Sequence, residues 1–414
     1  MKQKSDIKVL VLDDEPFTLK LLARVLTNQG FTQVVTCGDG ESALAWVDSD
    51  KGRPDVILCD LNMPHMDGIE FVRKLVEHGY AGSLVLVSKE DERVLQSVEM
   101  LVHSHGISVL GCLHKPVFPQ ALAMLLDKQL HRVGTQHVPA AKIYSADELR
   151  VALSKDELIN YYQPKVSLSI GELVGVETLV RWRHPVDGMV FPDQFVGVAE
   201  EHGLIDELTR VVLQAALTQA KRWQEIGLRL KIAINVSMDN LTSLDFPSFV
   251  SEQAMLAIVR PQDVVLEVTE SKLMKDQRAS LEILTRLRLK RFRLSIDDFG
   301  TGHSSLAQLR DIPFDELKID KSFVNGVHAN ETIRAIYLAS VSLAKQLRME
   351  VVAEGVESRD DWDFLRQTGC DLAQGYFISP PMPASELPAW AAGWTQRIRQ
   401  GLLLGAAATP CQNP

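Results

Sequence analysis

Two groups of oxygen-bearing side chains in this 414-residue chain are spaced to do phosphate or metal chemistry. In the first third, Asp13 and Asp14 follow one short apolar run and Asp60 follows another. Three carboxylates brought together make an oxygen-rich pocket suited to Mg²⁺. Ser88 and Lys115, the latter followed by Pro116, close two further apolar runs. Together they can grip an anion attached to Asp60. A carboxylate that accepts a phosphoryl group needs a metal and a cation to offset charge on the transferred oxygens.

The second group is larger. Glu177, Asn235, Glu267 and Asp297 offer four oxygen ligands from four separate apolar runs, with no Cys or His among them. That set suits Mg²⁺ or Mn²⁺ better than zinc. Asp298, beside Asp297, allows a second ion to share a bridging carboxylate. Two such ions stabilise both the attacking and the leaving oxygen in phosphodiester hydrolysis. Lys318 can orient a water or balance an oxyanion, and Glu354 can accept a proton or bind the second ion. So many acids at one mouth repel each other unless metal is present.

These residues need elements to position them. The runs 8–12, 34–37, 55–59, 84–87 and 109–113 read as strands buried on both faces, with helical periodicity between them, as at 17–28 and 69–78. That alternation predicts an α/β, doubly wound parallel sheet of flavodoxin type, whose strand ends converge on a crevice. Periodicity fades from His131 to Ala141, where Gly134 and Pro139 mark a linker. The expected division is a first domain over 1–130, a linker over 131–145, a second domain over 146–400 and a weakly ordered tail over 401–414.

In the second domain the strand candidates are 161–166, 174–179, 231–236, 264–268, 292–296, 316–319, 350–353 and 375–378, separated by amphipathic stretches such as 204–226 and 331–347. Eight strands over roughly 250 residues match a (β/α)₈ barrel, in which active sites are built at the C-terminal rim. Glu177, Asn235, Glu267, Asp297, Asp298, Lys318, Glu354 and Gln374 all fall at or close to expected strand ends.

Composition narrows the partners. Hydrophobic residues make up 46% and charged residues 24%, the mix of a globular protein. A net charge of −10 argues against binding duplex nucleic acid, and no helix-turn-helix follows the barrel. No apolar run is long enough to span a bilayer, and the polar N-terminus shows no signal peptide. The five cysteines are odd in number and scattered, which suits free thiols in a reducing cytoplasm.

The first group, from Ile7 to about Leu130, resembles the receiver domain of two-component response regulators. The resemblance implies Asp60 as phosphoacceptor, Asp14 and the Asn62 carbonyl as ligands of one Mg²⁺, and Asp13 helping through water. Ser88 and Lys115 would contact the phosphoryl group, delivered by a sensor histidine kinase or phosphotransfer protein. The aromatic switch residue common three positions before the Lys is here Cys112.

The second group lies in motifs that resemble the EAL family of cyclic-di-GMP phosphodiesterases. In order they are Glu177-Thr178-Leu179-Val180-Arg181-Trp182, Asn235-Val236-Ser237, Glu267-Val268-Thr269-Glu270, Asp297-Asp298-Phe299-Gly300-Thr301-Gly302, Lys318-Ile319-Asp320, Glu354-Gly355-Val356-Glu357 and Gln374-Gly375-Tyr376. The match runs from about Ala146 to Pro383, with Thr178 in place of the usual Ala. It implies cyclic di-GMP as substrate and linear pGpG as product. Glu177, Asn235, Glu267 and Asp297 would hold a first Mg²⁺ or Mn²⁺, and Asp297, Asp298 and Glu354 a second, with Glu354 as general base the alternative. Lys318 would contact the attacking water. Gln163, Arg181 and Gln374 would contact the dinucleotide, Arg181 through a phosphate. Glu270 would tie down the loop 299–305, where His303 replaces a usual Tyr. A receiver ahead of this domain implies control by phosphorylation of Asp60, and both domain types commonly pair, so a homo-oligomer is expected.

The plainer readings have their places. Trp182 reads as core rather than ligand contact, Asp320 and Glu357 as either structural or part of the site, and the acidic stretch 90–92 as a solvated helix start. The rivals are a binding module that keeps the pocket without turnover, an unrelated metal-dependent barrel lyase, and an output acting through protein contact.

Overall fold

Apolar runs with no polar face have to be covered on both sides; of the first five strands the three central ones are, whereas the strand Gln33–Cys37 lies at the sheet edge and is half-exposed, against the expectation for 34–37. In the computed structural model, which describes residues 4–49, 53–90, 92–104, 106–132, 142, 144–237, 239–269, 277–300 and 306–401, the five are β1 (Lys8–Leu12), β2 (Gln33–Cys37), β3 (Val56–Asp60), β4 (Ser83–Ser88) and β5 (Ser108–His114). All pair in parallel, in the order β2-β1-β3-β4-β5. Successive side chains point to opposite faces, so Leu10, Ile57 and Leu84 join one core while Val9, Leu58 and Val85 join the other. The strand order reverses at β1 and β3, and ligand crevices form at such a point.

The chain divides into two compact units, Met1–Ala141 and Lys142–Pro414. Of the expected linker, residues 133–141 and 143 lie outside the described residues, as do 402–414 of the expected tail. The second unit starts on the helix Ala146–Ser154, fixed by a capping box in which Ser145 and Glu148 satisfy each other's backbone N–H groups.

Its strands are β6 (Leu158–Ser167), β7 (Leu173–His184), β8 (Gly188–Val190), β9 (Lys231–Asn235), β10 (Val264–Thr269), β11 (Arg293–Phe299), β12 (Glu316–Ile319), β13 (Glu350–Ala353), β14 (Leu372–Ala373) and β15 (Met382–Pro383). Eight of them close a ring, β6-β7-β9-β10-β11-β12-β13-β14, with β14 returning to β6. Long helices such as Ile205–Glu225 and Glu331–Gln346 connect the strands. The ring is parallel from β7 to β14, but β6 runs antiparallel to both of its neighbours. The reason is local. Five residues separate β6 from β7, which suffices for a hairpin, whereas a parallel return needs a crossover of a dozen or more.

Two expected placements change. Glu177 is not at a strand end but well inside β7, which runs past the rim to pair with β8. The run 375–378 is a turn, and the last ring strand is Leu372–Ala373. Gly375 explains this: a Cβ there would sit 2.2 Å from the Val356 nitrogen, so the two backbones meet directly where a strand was expected. Trp182 is core, 1% exposed and packed on Tyr144 and Phe195.

Candidate active site

The barrel strands bring the expected acids to one mouth. Glu177 comes from β7, Asn235 from β9, Glu267 from β10, Asp297 and Asp298 from β11 and Lys318 from β12, while Glu354 follows β13. Lys318 is their hub, 1% exposed. Its Nζ stands 2.8 Å from Glu354 Oε1, 2.9 Å from Asp297 Oδ1, 3.2 Å from Glu267 Oε2 and 3.4 Å from Glu177 Oε2. Asn235 donates from Nδ2 to Glu177 Oε1 at 3.2 Å. Gln374 donates from Nε2 to Glu177 Oε2 at 2.5 Å and to Gln163 Oε1 at 2.9 Å.

Adjacent residues of a regular strand face opposite ways, so Asp297 and Asp298 should not share an ion. The strand breaks its own alternation there. The β11–β12 register shifts between Ile296 and Phe299, and Asp298 takes a φ of +55°, in the left-handed region that Asp tolerates better than most residues. Donor atoms of Asp297, Asp298 and Glu354 then all lie within 4.8 Å of one another. A cavity of about 320 Å³ opens over them, lined also by Gln163, Glu177, Lys318, Gln374 and Tyr376.

Charge explains the titration of these groups. Burial pushes Glu354 up to about 8, helped by Asp297 and Glu177 and opposed by Lys318. Burial likewise pushes Glu267 up to about 7, against Lys165 and Lys318. Asp298 is raised by burial and then by Asp297. Burial would raise Glu177 as well, but Lys318, Lys165 and the bonds from Gln374 and Asn235 outweigh it and hold the carboxyl low. The same carboxylates overcome burial at Lys318 and hold its ammonium well above the ordinary value. A site with more acids than cations is short of positive charge, which is what divalent ions supply. Glu267 Oε2, buried with no hydrogen bond, and an all-oxygen acid set fit Mg²⁺ or Mn²⁺.

Arg181 does not line this cavity. Its guanidinium lies over the rings of Tyr161 and Phe191, 5.6 and 5.2 Å from their centroids. It shares a face of β7 with Leu179, which does line the cavity. Asp320 caps the short helix Lys321–Phe323, and Glu357 accepts from Asn325 Nδ2 while also lining the cavity. Glu270 and residues 301–305, including His303, lie outside the described residues.

In the first unit, donor atoms of Asp13, Asp14 and Asp60 lie within 4.8 Å of one another. Lys115 Nζ bridges Asp60 Oδ2 at 2.6 Å and Asp13 Oδ2 at 2.7 Å, and burial still raises the Asp13 carboxyl despite that ammonium. Asn62 N donates to Asp60 Oδ1 at 3.2 Å. Ser88 is fully buried and its Oγ accepts from Glu90 N. Within the stretch 90–92 expected at a helix start, Glu90 lies just ahead of the helix. It accepts from Asn62 Nδ2 at 2.7 Å, and the helix begins at Glu92. Cys112 stands part-buried with Sγ 3.9 Å from Glu99 Oε2. Burial, then Glu99, pushes its thiol up to about 12.

Two residues of the barrel interior escaped the sequence reading, Lys165 and Glu316, both almost wholly buried. The signal was present. Lys165 lies two residues from Gln163 on β6, and Glu316 two from Lys318 on β12, so each shares the inward face of a residue already singled out.

The family model of the EAL domain matches residues 146–381, and that of the response regulator receiver domain matches residues 9–127. The chain is similar to Cyclic di-GMP phosphodiesterase RocR of Pseudomonas aeruginosa, 33% identical over 393 residues that make up 94% of this chain and 100% of that protein. It is also similar to Cyclic di-GMP phosphodiesterase NbdA of the same organism, 43% identical over 64% of this chain and only 33% of that longer protein. Among solved structures, the PaMucR phosphodiesterase in complex with c-di-GMP aligns with a TM-score of 0.56 at 40% identity, covering 58% of this chain and 98% of that one.

Proposed function

This chain belongs to the EAL domain family, with a response regulator receiver domain ahead of the EAL domain, and from that membership we propose that it hydrolyses cyclic di-GMP to linear pGpG under the control of phosphorylation at Asp60. The observation that carries the reading is the convergence of Glu177, Glu267, Asp297 and Glu354 within 3.4 Å of one buried ammonium, Lys318.

Glu177, Asn235, Glu267 and Asp297 would hold one divalent ion, and Asp297, Asp298 and Glu354 a second. When bound, Mg²⁺ or Mn²⁺ would supply a water that ionises near neutral pH and would neutralise the phosphate oxygens. Grouping of Glu354 with Asp297 and Asp298 favours the ligand role for it over that of general base. Lys318 orients the attacking water and offsets charge that grows on the phosphate in the transition state. Arg181, braced by Tyr161 and Phe191, takes a phosphate of the dinucleotide. Gln374, with Oε1 buried and free of hydrogen bonds, offers an acceptor beside Gln163. In the receiver, Asp13, Asp14 and the Asn62 carbonyl would hold one Mg²⁺, which would offset charge on the phosphoryl oxygens. Asp60 takes the phosphoryl group from a histidine kinase or phosphotransfer protein, and Lys115 and Ser88 receive its oxygens.

The test is hydrolysis of cyclic di-GMP by the purified chain with Mg²⁺ or Mn²⁺, beside Glu177→Ala. Linear pGpG from the wild type and none from the variant supports the reading. Binding without turnover under both metals replaces it with a receptor.

A further inference from the structure

One buried cation of the barrel has no part in the chemistry proposed above. Lys165, on β6, reaches into the barrel beneath the mouth with its side chain 4% exposed. Its Nζ stands 2.6 Å from Glu267 Oε1 and 3.3 Å from Glu316 Oε1, and Ser295 Oγ donates to the same Glu316 oxygen at 3.1 Å. Glu267 is thus held from below by one oxygen. Its other oxygen, Oε2, points toward Lys318 and the mouth and makes no hydrogen bond of its own. A buried ion pair is often no more stabilising than apolar packing of the same volume, so stability alone is a weak reason for a lysine there. Partners behind metal ligands, by contrast, orient the ligand and tune its donor atom.

We propose that Lys165 is a positioning residue for the metal site: its ammonium fixes Glu267 Oε1 so that Oε2 alone is presented to the ion, while Glu316, bonded in turn by Ser295, balances its charge without being needed for that bond. The inference deepens the phosphodiesterase reading and rests on its metal site. The test is a Mn²⁺ titration of the full chain followed by electron paramagnetic resonance. Asp14→Ala is present throughout so that the receiver pocket does not compete, and melting in EDTA checks each fold. Lys165→Met is expected to weaken Mn²⁺ binding by roughly 10- to 100-fold. Glu316→Gln, which keeps the Lys165–Glu267 bond, should stay close to the parent. The double variant Lys165→Met/Glu316→Gln removes one charge of each sign and guards against misfolding from an unpaired Glu316. It should remain about tenfold weaker than the parent.

If the double variant recovers parental affinity, charge balance alone is at work and the proposal is overturned. It is overturned too if Glu316→Gln loses as much as Lys165→Met, or if the parent binds no Mn²⁺. Hydrolysis of cyclic di-GMP by the wild type, run alongside, separates the two claims. A wild type that binds Mn²⁺ and leaves the dinucleotide intact removes the phosphodiesterase reading, while the Mn²⁺ series still decides the role of Lys165.

Discussion

Gln374 Nε2 reaches Glu177 Oε2 at 2.5 Å and Gln163 Oε1 at 2.9 Å, so one amide ties together two residues that stand directly opposite each other in the antiparallel β6–β7 pair. The hairpin that reverses β6 therefore sets the seat of Glu177. Replacing Gln374 by Leu keeps the volume and removes the tie. Metal affinity and kcat/KM are expected to fall roughly 10- to 100-fold, with the melting temperature little changed. A matched fall in stability would mean a packing role instead.

Lys318→Met should separate catalysis from stability. Turnover is expected to fall about 10²- to 10³-fold, the loss typical of one preorganised electrostatic contact. In EDTA the variant leaves three buried carboxylates, and the half-buried Glu354, without their ammonium, a loss of about 3–5 kcal/mol by denaturant unfolding. Added Mg²⁺ should restore much of that stability and little of the activity.

Gly375→Ala tests the close approach that ends the last strand. Its Cβ would meet Val356 N at 2.2 Å and Val356 O at 2.3 Å, and neither is the end of a flexible side chain. Overpacking of this kind costs about 1–3 kcal/mol. The shift should carry Gln374, whose N bonds Ala353 O and whose O accepts from Val356 N, away from Glu177. Hydrolysis should therefore drop by more than the loss of folded protein accounts for.

A pH dependence follows from Asp361, in the first turn of the helix Arg359–Gln367. Burial would raise its carboxyl, but bonds from His328, Ser358 and Gly326 N hold it below the ordinary 3.8. A depressed carboxyl stabilises the fold above its unfolded value, and that stability is lost as pH falls through the folded value. Asp361→Asn should cost about 1–3 kcal/mol at pH 7. The gap between variant and wild type should close below pH 3.8, read by thermal melts across pH.

Beryllofluoride, a phosphoryl mimic, should change turnover of the wild type, and Asp60→Ala should abolish that change. A response that survives in the variant points to another site of action.

Residue type and spacing were enough to predict a parallel first sheet, and the resemblance of the motifs to known families implied both domain families. Strands buried on both faces must be apolar throughout, and polar residues ending such runs stand out against them. The acids of the barrel mouth were legible for the same reason. Lys165 and Glu316 were within reach by the same two-residue alternation, yet no motif drew attention to them. Other features were not written in any local pattern. A hairpin's direction, the extension of β7 past the rim to meet β8, and the meeting of Gly375 with Val356 depend on which backbones arrive side by side. The pairing of Asp297 with Asp298 contradicts the alternation that sequence reasoning rests on. It needs a register shift and a left-handed Asp298, and both arise only when β11 has to fit against β12 in a closed ring. Sequence determines which groups are available and on which face of an element they lie. Only the closed tertiary structure decides which of them share a space a few ångströms wide, because that depends on register and closure between strands far apart in the chain.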